Sequence, residues 1–137
     1  MEDHRRSDAS YEAALELDPL NSHVLNNYSY FLSLRKEKLD KAKAMSSKLI
    51  EMHPDDPTFL DTHAWVLYTL KEYKEAKKFL EMAIKKTDSG TIIAHYGDVL
   101  FKLGETEQAV EQWKKAKGMD DTSEMIDKKI ADRKLYE

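Results

Sequence analysis

The sequence contains no cysteine and little glycine or proline. Its 137 residues include four glycines and three prolines. The absence of cysteine excludes disulfide bonds, zinc–thiolate sites and a cysteine nucleophile, but it is compatible with both the cytosol and the periplasm. The scarcity of glycine and proline disfavours a turn-rich β fold, because hairpins need such residues at their turns. We therefore expect long, uninterrupted helices.

The sequence also lacks long apolar runs and any cluster of basic residues. The apolar runs are far too short to span a bilayer, and the first ten residues, MEDHRRSDAS, are too polar for a signal peptide. The 22 basic and 26 acidic residues are evenly spread and give a net charge of −4. A nucleic-acid-binding protein would need a clustered basic face. We therefore expect no direct membrane insertion and no nucleic-acid partner.

The sequence does contain an internal repeat. Pairs of mostly small residues, seven positions apart, recur at intervals of 35, 34 and 33 residues. Such pairs lie on one helix face and let a neighbouring helix approach closely. The pairs are Ser7/Ala14, Ala42/Leu49, Ala76/Ala83 and Ala109/Ala116, and the helix stops that follow them are Pro19, Pro54, Asp88 and Asp121. Ahead of the last three pairs, leucine follows a small residue three positions later, at Ser29/Leu32, Ala64/Leu67 and Gly97/Leu100.

This aligned pattern resembles the tetratricopeptide repeat (TPR) over nearly the whole chain. It departs from the family pattern mainly in its turns: RKEKLD carries one extra residue, the third repeat is one residue short before Gly90, and aspartate twice replaces the terminal proline. The tryptophan that marks the start of many TPR repeats is missing. The resemblance implies an all-α fold, a right-handed superhelical solenoid of antiparallel helix pairs.

The repeat boundaries predict one TPR domain over residues 1–137. It would comprise the second helix of a truncated repeat at 4–19, repeats at 22–56, 57–89 and 90–123, and a C-terminal capping helix at 122–136. Asp56-Pro57 should begin a helix, and Asp121 with Glu124 resembles a capping box. The predicted helices lie near 4–17, 21–35, 38–53, 57–70, 72–86, 90–103, 105–117 and 122–136.

The first helix lacks the partner that completes a repeat. Tyr11, Ala14 and Leu15 should therefore form an apolar face that this chain leaves uncovered on one side. We expect the chain to be the C-terminal piece of a longer TPR protein. A homodimer through the uncapped N-terminal helix is an alternative use of the same face.

The TPR resemblance also implies a concave groove lined by the first helix of each pair. Aromatic, asparagine, aspartate and histidine side chains in these positions suit an extended peptide or protein segment. The acids Asp61 and Asp98 would favour a partner with a basic or amine group. Lys102 is the single cation of the kind that chaperone-binding TPRs use to hold a C-terminal carboxylate, so we reject that specificity. The predicted groove residues are Asn26, Asn27, Tyr30, Asp61, Thr62, Trp65, Tyr68, His95, Asp98, Phe101 and Lys102.

Each of these residues also has a structural interpretation. Trp65 and Tyr68 could pack against flanking helices, and Asp61 and Asp98 could form hydrogen bonds to neighbouring side chains. In that case the chain would be a structural end-cap of a longer solenoid or a self-association module. Exposed aromatics would favour binding, and buried ones would favour packing. His95 and Asp98 share a face, and a metal-dependent or acid–base enzyme that uses them is a remote alternative. No third ligand or nucleophile accompanies them, so we expect no enzyme, metal or cofactor. We expect the remaining candidate histidine, His63, to be packed.

Three phrases resemble the C-terminal TPR block of a family of bacterial, often envelope-associated, TPR proteins. The residues that carry this resemblance are Asn27 with Tyr30, Asp61-Thr62 with Ala64-Trp65, His95-Tyr96-Gly97-Asp98, and Gln112-Trp113 with Ala116. Trp113 falls in a core position and is interpreted as packing. The resemblance implies a protein-interaction scaffold and favours a periplasmic or envelope-associated location over a cytoplasmic one, although the sequence itself leaves the compartment open.

Overall fold

A computed structural model describes residues 2–119 and 125–132, and within these ranges it holds eight helices and no strand. This confirms the predicted all-α architecture and each of the eight expected helices. The predicted capping box at Asp121 and Glu124 lies outside the described residues, and the repeat boundaries stay a prediction. The helices are α1 (Glu2–Leu17), α2 (Ser22–Arg35), α3 (Leu39–Met52), α4 (Pro57–Thr69), α5 (Tyr73–Ile84), α6 (Gly90–Lys102), α7 (Thr106–Lys117) and α8 (Met125–Asp132).

The first helices of the three pairs begin at side-chain caps. Asn21 accepts from the Val24 amide at 3.2 Å, Asp56 accepts from the amides of Thr58 and Phe59, and Ser89 accepts from Ile92. Such caps satisfy amide groups that have no partner inside the helix. The predicted start at Asp56-Pro57 is therefore confirmed, and each first helix has a defined beginning.

The helices stack in pairs, with the closest packing between α2 and α3, α4 and α5, and α6 and α7. Short turns join the members of each pair, which makes them antiparallel neighbours. Consecutive pairs also touch through their first helices, α2 with α4 and α4 with α6. The first helices therefore lie side by side and form one continuous surface.

The repeated small residues lie where the helices approach each other most closely. The small or leucine members of the last three pairs are fully buried, and they are Ala42, Leu49, Ala76, Ala83, Ala109 and Ala116. At Gly97 the approach is tighter still, since a Cβ atom there would stand 2.5 Å from Nε1 of Trp113. Trp113 itself is fully buried, as predicted for a packing residue. Gly97 thus provides the space that the indole ring occupies.

His63 is packed inside the stack, as the sequence predicts. It is 5% exposed, bonds to Oγ of Ser46 at 2.7 Å and meets the ring of Phe79 edge-on. Burial, together with the nearby Lys43 ammonium, lowers the pKa of His63 from 6.5 to about 4, against an opposing effect of Glu72. The folded chain therefore holds this ring neutral.

We expect His63 to make the fold acid-labile. The unfolded chain protonates this residue near pH 6.5 and the folded chain near pH 4, so the stabilisation is complete above pH 6.5 and is lost as the pH falls toward 4. The loss corresponds to about 3 kcal/mol, since each pH unit between the two pKa values is worth about 1.4 kcal/mol. Urea unfolding across this pH range should show a smaller loss for His63→Phe than for the wild type. The control His23→Gln, at an exposed site, should keep the full loss; equal losses in all three proteins would contradict the assignment.

The packing around α1 leaves an apolar face open. Tyr11 stacks on Tyr28 at 5.0 Å between ring centroids and on Phe31 at 6.2 Å, so α1 is joined to α2. Phe31 is nevertheless 46% exposed, whereas Val66 and Val99, which hold the same repeat position, are fully buried. The exposed ring of this region therefore belongs to Phe31 of α2, whereas Tyr11, Ala14 and Leu15, where the sequence analysis placed the uncovered face, are partly buried. The truncated repeat and the homodimer inferred from it stay predictions.

Candidate functional site

The surface formed by α2, α4 and α6 carries a three-ring stack at its centre. The Trp65 ring lies parallel to Tyr68, with centroids 4.4 Å apart and an interplanar angle of 6°, and it stacks on His95 at 4.1 Å and 25°. Nδ1 of His95 also lies 2.8 Å from Oδ1 of Asp61. We call Tyr68, Trp65 and His95 the aromatic stack. It links α4 to α6 across the repeat boundary, because His95 belongs to the following pair.

A second polar cluster lies one helix further along, around Asp98. Its Oδ1 accepts a hydrogen bond from Nε1 of Trp113 on α7 at 3.0 Å and another from Nζ of Lys129 on α8 at 3.0 Å. The same Lys129 ammonium lies 5.8 Å from the centre of the Trp113 ring. Asp98 is 5% exposed. This carboxylate is therefore enclosed by groups from three helices.

Both clusters shift the pKa values of their members. Burial alone lowers the pKa of His95, but the carboxylates of Asp61 and Asp98 outweigh it, so the pKa is raised. For Asp98, burial raises the pKa by more than the Lys129 ammonium, His95 and the Trp113 hydrogen bond lower it. Burial also raises the pKa of Tyr30, and the Asp61 carboxylate adds to this effect. The two acids therefore make His95 easier to protonate than an isolated histidine side chain.

Three of the eleven predicted groove residues are buried in the structure. Thr62, Tyr68 and Asp98 are 4%, 8% and 5% exposed, respectively. Tyr68 is covered by the Trp65 ring and by Tyr73, whose ring meets it edge-on at 5.5 Å. A binding groove predicted that both Trp65 and Tyr68 are well exposed; the structure has one buried ring beneath one partly exposed ring, so the burial of Tyr68 favours the packing interpretation for that residue. The partly exposed members are Asn26, Tyr30, Asp61, Trp65, His95 and Phe101, and the exposed members are Asn27 and Lys102.

The two acids already have partners within the chain. Asp61 pairs with His95, and Asp98 pairs with Lys129 and Trp113. The sequence suggested instead that these acids would attract a basic partner, and it placed His95 beside Asp98. The cross-repeat pairing was missed because sequence spacing reports neighbours on one helix, not neighbours on adjacent helices. One signal in the sequence could have indicated the contact between Trp113 and Asp98. Glycine at position 97, next to Asp98, leaves space for the large ring of Trp113 on the second helix of the same repeat.

Asn26 contributes an unsatisfied acceptor to the same surface. Its Oδ1 atom is buried and accepts no hydrogen bond from the described residues. In the repeat alignment Asn26 occupies the position of Asp61, whose carboxylate is bonded to His95. A buried carbonyl oxygen without a donor costs free energy of about 1–3 kcal/mol. The buried Oδ1 of Asn26 therefore adds a cost within the stack that no described residue offsets.

Neither a metal centre nor a membrane span is visible in the described part of the chain. Among the side chains that the structure describes, no three histidine, aspartate or glutamate residues come together as metal ligands. None of the described helices combines the length and the apolar character needed to cross a membrane. The role of the eleven predicted groove residues in binding stays a prediction.

The chain resembles TPR proteins in sequence and in structure. No family model matches it. The TPR repeat-containing protein PA4667 of Pseudomonas aeruginosa is 28% identical over 81 residues, which is 59% of this chain and 14% of that protein. The chain therefore spans a small part of the curated relative it matches.

Several solved structures share the helix stack. YrrB, a TPR protein with an unusual peptide-binding site, matches with a TM-score of 0.73 at 22% identity, over 90% of this chain and 63% of that one. MamA matches with a TM-score of 0.75 at 18% identity, over 90% and 72% of the two chains. The first TPR of Spaghetti (RPAP3), bound to the HSP90 peptide SRMEEVD, matches with a TM-score of 0.73 at 16% identity, over 82% and 89%. With its repeated helix pairs packed through their small residues, the chain has the TPR fold, an all-α stack of helix pairs.

Proposed function

We propose that the surface of α2, α4 and α6 binds an extended segment of a partner protein and that the chain is an interaction scaffold without catalysis of its own. The observation that carries this proposal is the aromatic stack. Trp65 remains partly exposed while Tyr68 and His95 hold its ring in one orientation. A ring that is already fixed loses little conformational entropy when a ligand covers it, so its contact area converts efficiently into affinity.

Polar groups beside the stack support the same function. The Asn27 side chain is exposed on α2, and the Tyr30 side chain is partly exposed on the same helix. An extended peptide presents backbone amide and carbonyl groups that such polar side chains can pair with. The combination of one fixed indole ring and nearby amide groups suits a segment that binds through one apolar side chain and its own backbone.

The charges on the surface disfavour an acidic peptide tail. Asp61 lies on it and Asp98 lies buried beneath it, and their positive partners come from the chain itself. YrrB is a TPR protein with an unusual peptide-binding site, and the first TPR of Spaghetti (RPAP3) is bound to an HSP90 peptide. That acidic HSP90 peptide would meet the Asp61 carboxylate here. We therefore propose that an apolar anchor, and not a terminal carboxylate, determines the choice of partner.

Selection from a displayed peptide library tests this function. The whole chain would be immobilised and offered random peptides of about 12 residues, a length that is adequate to cross three adjacent helices in an extended form. Enriched sequences should share an aromatic or large aliphatic residue, and titration calorimetry should give a dissociation constant in the micromolar range, near −8 kcal/mol at about 1 μM. Enrichment of acidic C-terminal sequences, or no enrichment after counter-selection against Trp65→Ala, would argue against the proposal.

A second candidate function is self-association through the open face of α1 and α2. The large apolar side chains exposed in this region are Leu17, Leu20, Phe31 and Leu34. Contiguous exposed apolar surface is typical of protein contact sites. The open face would then join two copies of the chain and leave the aromatic stack free.

Sedimentation equilibrium distinguishes self-association from a monomer. We expect the wild type to form dimers as its concentration rises, and we expect Phe31→Glu to raise the dissociation constant at least about tenfold, because a charge would be buried in the contact. Ala44→Glu adds the same charge at an exposed site on α3 and should leave the constant unchanged. A wild type that stays monomeric at all concentrations would exclude this candidate.

A further inference from the structure

The ammonium group of Lys129 sits in a small, well-defined site. Its Nζ lies 3.0 Å from Oδ1 of Asp98 and 5.8 Å from the centre of the Trp113 ring. The side chains of Lys129 and Asp98 are 12% and 7% exposed, so the ion pair is largely removed from water. The Trp113 indole bonds to the same carboxylate oxygen at 3.0 Å and fixes its direction. An acid oriented by a donor beside an aromatic face is an arrangement that recognises an alkylammonium cation.

This site adjoins the proposed binding surface. Asp98 occupies in α6 the repeat position that Trp65 holds in α4 and Tyr30 holds in α2. His95 lies one turn earlier on α6 and is itself part of the aromatic stack. An extended segment that crosses from α2 over Trp65 would therefore reach Asp98 next.

The lysine that fills the site comes from α8. The described residues of this helix, Met125–Asp132, pack on α7, with Ile126 buried in the core and Ile130 partly buried. α8 reaches Asp98 through the long side chain of Lys129. A lysine stem is flexible, so its ammonium can leave Asp98 by rotation of the side chain alone. The occupant of the site can therefore be exchanged without moving the central helices.

We propose that Asp98 and the Trp113 ring form a pocket for a lysine side chain at the end of the binding surface, and that Lys129 fills it as an internal ligand that a partner's lysine replaces. This inference rests on the proposed binding function, because it assigns a second anchor to the same bound segment. The bound segment would place an apolar residue on Trp65 and a lysine in the pocket. Lys129 of α8 would then compete with the partner's lysine for the pocket, and this competition would lower the apparent affinity of the chain for its partner.

The geometry favours lysine over arginine. Both hydrogen bonds to Asp98 end on the same oxygen, Oδ1, one from Trp113 and one from Lys129. A compact ammonium can share one oxygen with another donor, whereas a guanidinium binds best through two parallel bonds to both carboxylate oxygens. The position of the cation beside the indole ring suits either group, so the carboxylate decides the preference.

The alternative is that Lys129 only anchors α8, and a lysine probe separates the two roles. Nα-acetyl-lysine amide would be titrated into the wild type, Lys129→Ala and the control Lys74→Ala, which removes an exposed lysine of α5. The readout is the indole N–H signal of Trp113 in proton–nitrogen correlation spectra. The variant Trp65→Phe assigns it, because Trp113 is then the one tryptophan left in the sequence. We expect a saturable shift in Lys129→Ala and binding at least about fivefold weaker in the wild type and the control, because their pocket is filled. Nα-acetyl-norleucine amide, which lacks the charge, should give no saturable shift.

Two results would overturn the lysine pocket. One is the absence of a saturable Trp113 shift in Lys129→Ala, and the other is an equal shift in the wild type. If Lys129→Ala unfolds, seen as collapse of the amide dispersion, Lys129→Met keeps the flexible stem, removes the ammonium and carries the same test. The Trp65 indole signal, followed with a library-selected peptide, reports the proposed binding function separately. Failure at Trp113 with binding retained at Trp65 would refute the pocket alone, and failure at Trp65 would refute the binding surface.

Discussion

Gly97→Ala is expected to destabilise the chain by about 2–3 kcal/mol, although alanine is the better helix former. The added Cβ would stand 2.5 Å from Nε1 and 2.6 Å from Cδ1 of Trp113, and 3.1 Å from the Ala109 carbonyl oxygen. Relief would require the buried indole to move, which breaks its hydrogen bond to Asp98. The free energy of unfolding in urea measures the loss. A change within about 0.5 kcal/mol would show that the contact is not as tight as the structure indicates.

The preceding repeat suggests a matched control for this variant. Ala64 and Leu80 hold the positions of Gly97 and Trp113, and both are buried. Trp113→Leu leaves a cavity and should cost about 3 kcal/mol alone. The double variant Gly97→Ala/Trp113→Leu has the alanine and leucine that the third repeat holds at Ala64 and Leu80. Its free energy of unfolding should therefore be at least about 1 kcal/mol higher than the sum of the two single changes predicts. Strict additivity would mean that the two positions do not share one space.

Trp65→Ala is expected to weaken binding of a selected peptide at least about thirtyfold, or about 2 kcal/mol, which is the size of an interface hot spot. The variant removes the partly exposed ring and the surface on which a ligand would lie. The fold should survive, because Trp65 lies outside the small-residue contacts and its neighbours Tyr68 and His95 remain anchored to Tyr73 and Asp61. Calorimetry gives the affinity, and circular dichroism gives the helix content.

Phe31→Ala is the control for this change. It removes a ring of similar character that is 46% exposed on the same helix layer but belongs to the open face of α1 and α2. Peptide affinity should stay within about twofold of the wild type. Unfolding of Trp65→Ala, or an equal loss of affinity in Phe31→Ala, would count against a binding surface centred on the aromatic stack.

The helices and their packing could be predicted because they follow from short-range periodicity. The pairs Ala76/Ala83 and Ala109/Ala116 mark close helix contacts, and all four residues are fully buried. Position in the repeat then identified which helices form the common surface. In a regular repeat, equivalent positions have similar surroundings, so the role of a residue in one repeat predicts the role of its equivalents in the others. The exposure of Phe31 was not predicted, because the sequence analysis placed the uncovered face at Tyr11, Ala14 and Leu15, which are partly buried.

The polar contacts of the site could not be predicted, because they join different repeats through side-chain reach. Asp61 and His95 are 34 positions apart, and Asp98 and Lys129 are 31 apart. Neither pair follows from the spacing on a single helix. The burial of Tyr68 has a similar cause, since it depends on the orientation of Trp65 and on Tyr73 of the following helix. The sequence therefore indicated that Asp61 and Asp98 belong to a site, but it did not indicate that His95 and Lys129 of the same chain already pair with them.

A chemical-shift map of the whole chain, titrated with a library-selected peptide, tests the binding surface most directly. The proposal predicts changes at the Trp65 indole and at backbone amides around Asn27, Tyr30 and His95. Asn27 and Tyr30 lie on α2, Trp65 lies on α4 and His95 lies on α6, the first helices of three consecutive pairs. Exposed positions on the second helices, such as Lys48 of α3 and Lys74 of α5, should stay unchanged. Shifts confined to the second helices, or to the open face of α1 and α2, would contradict the proposed function.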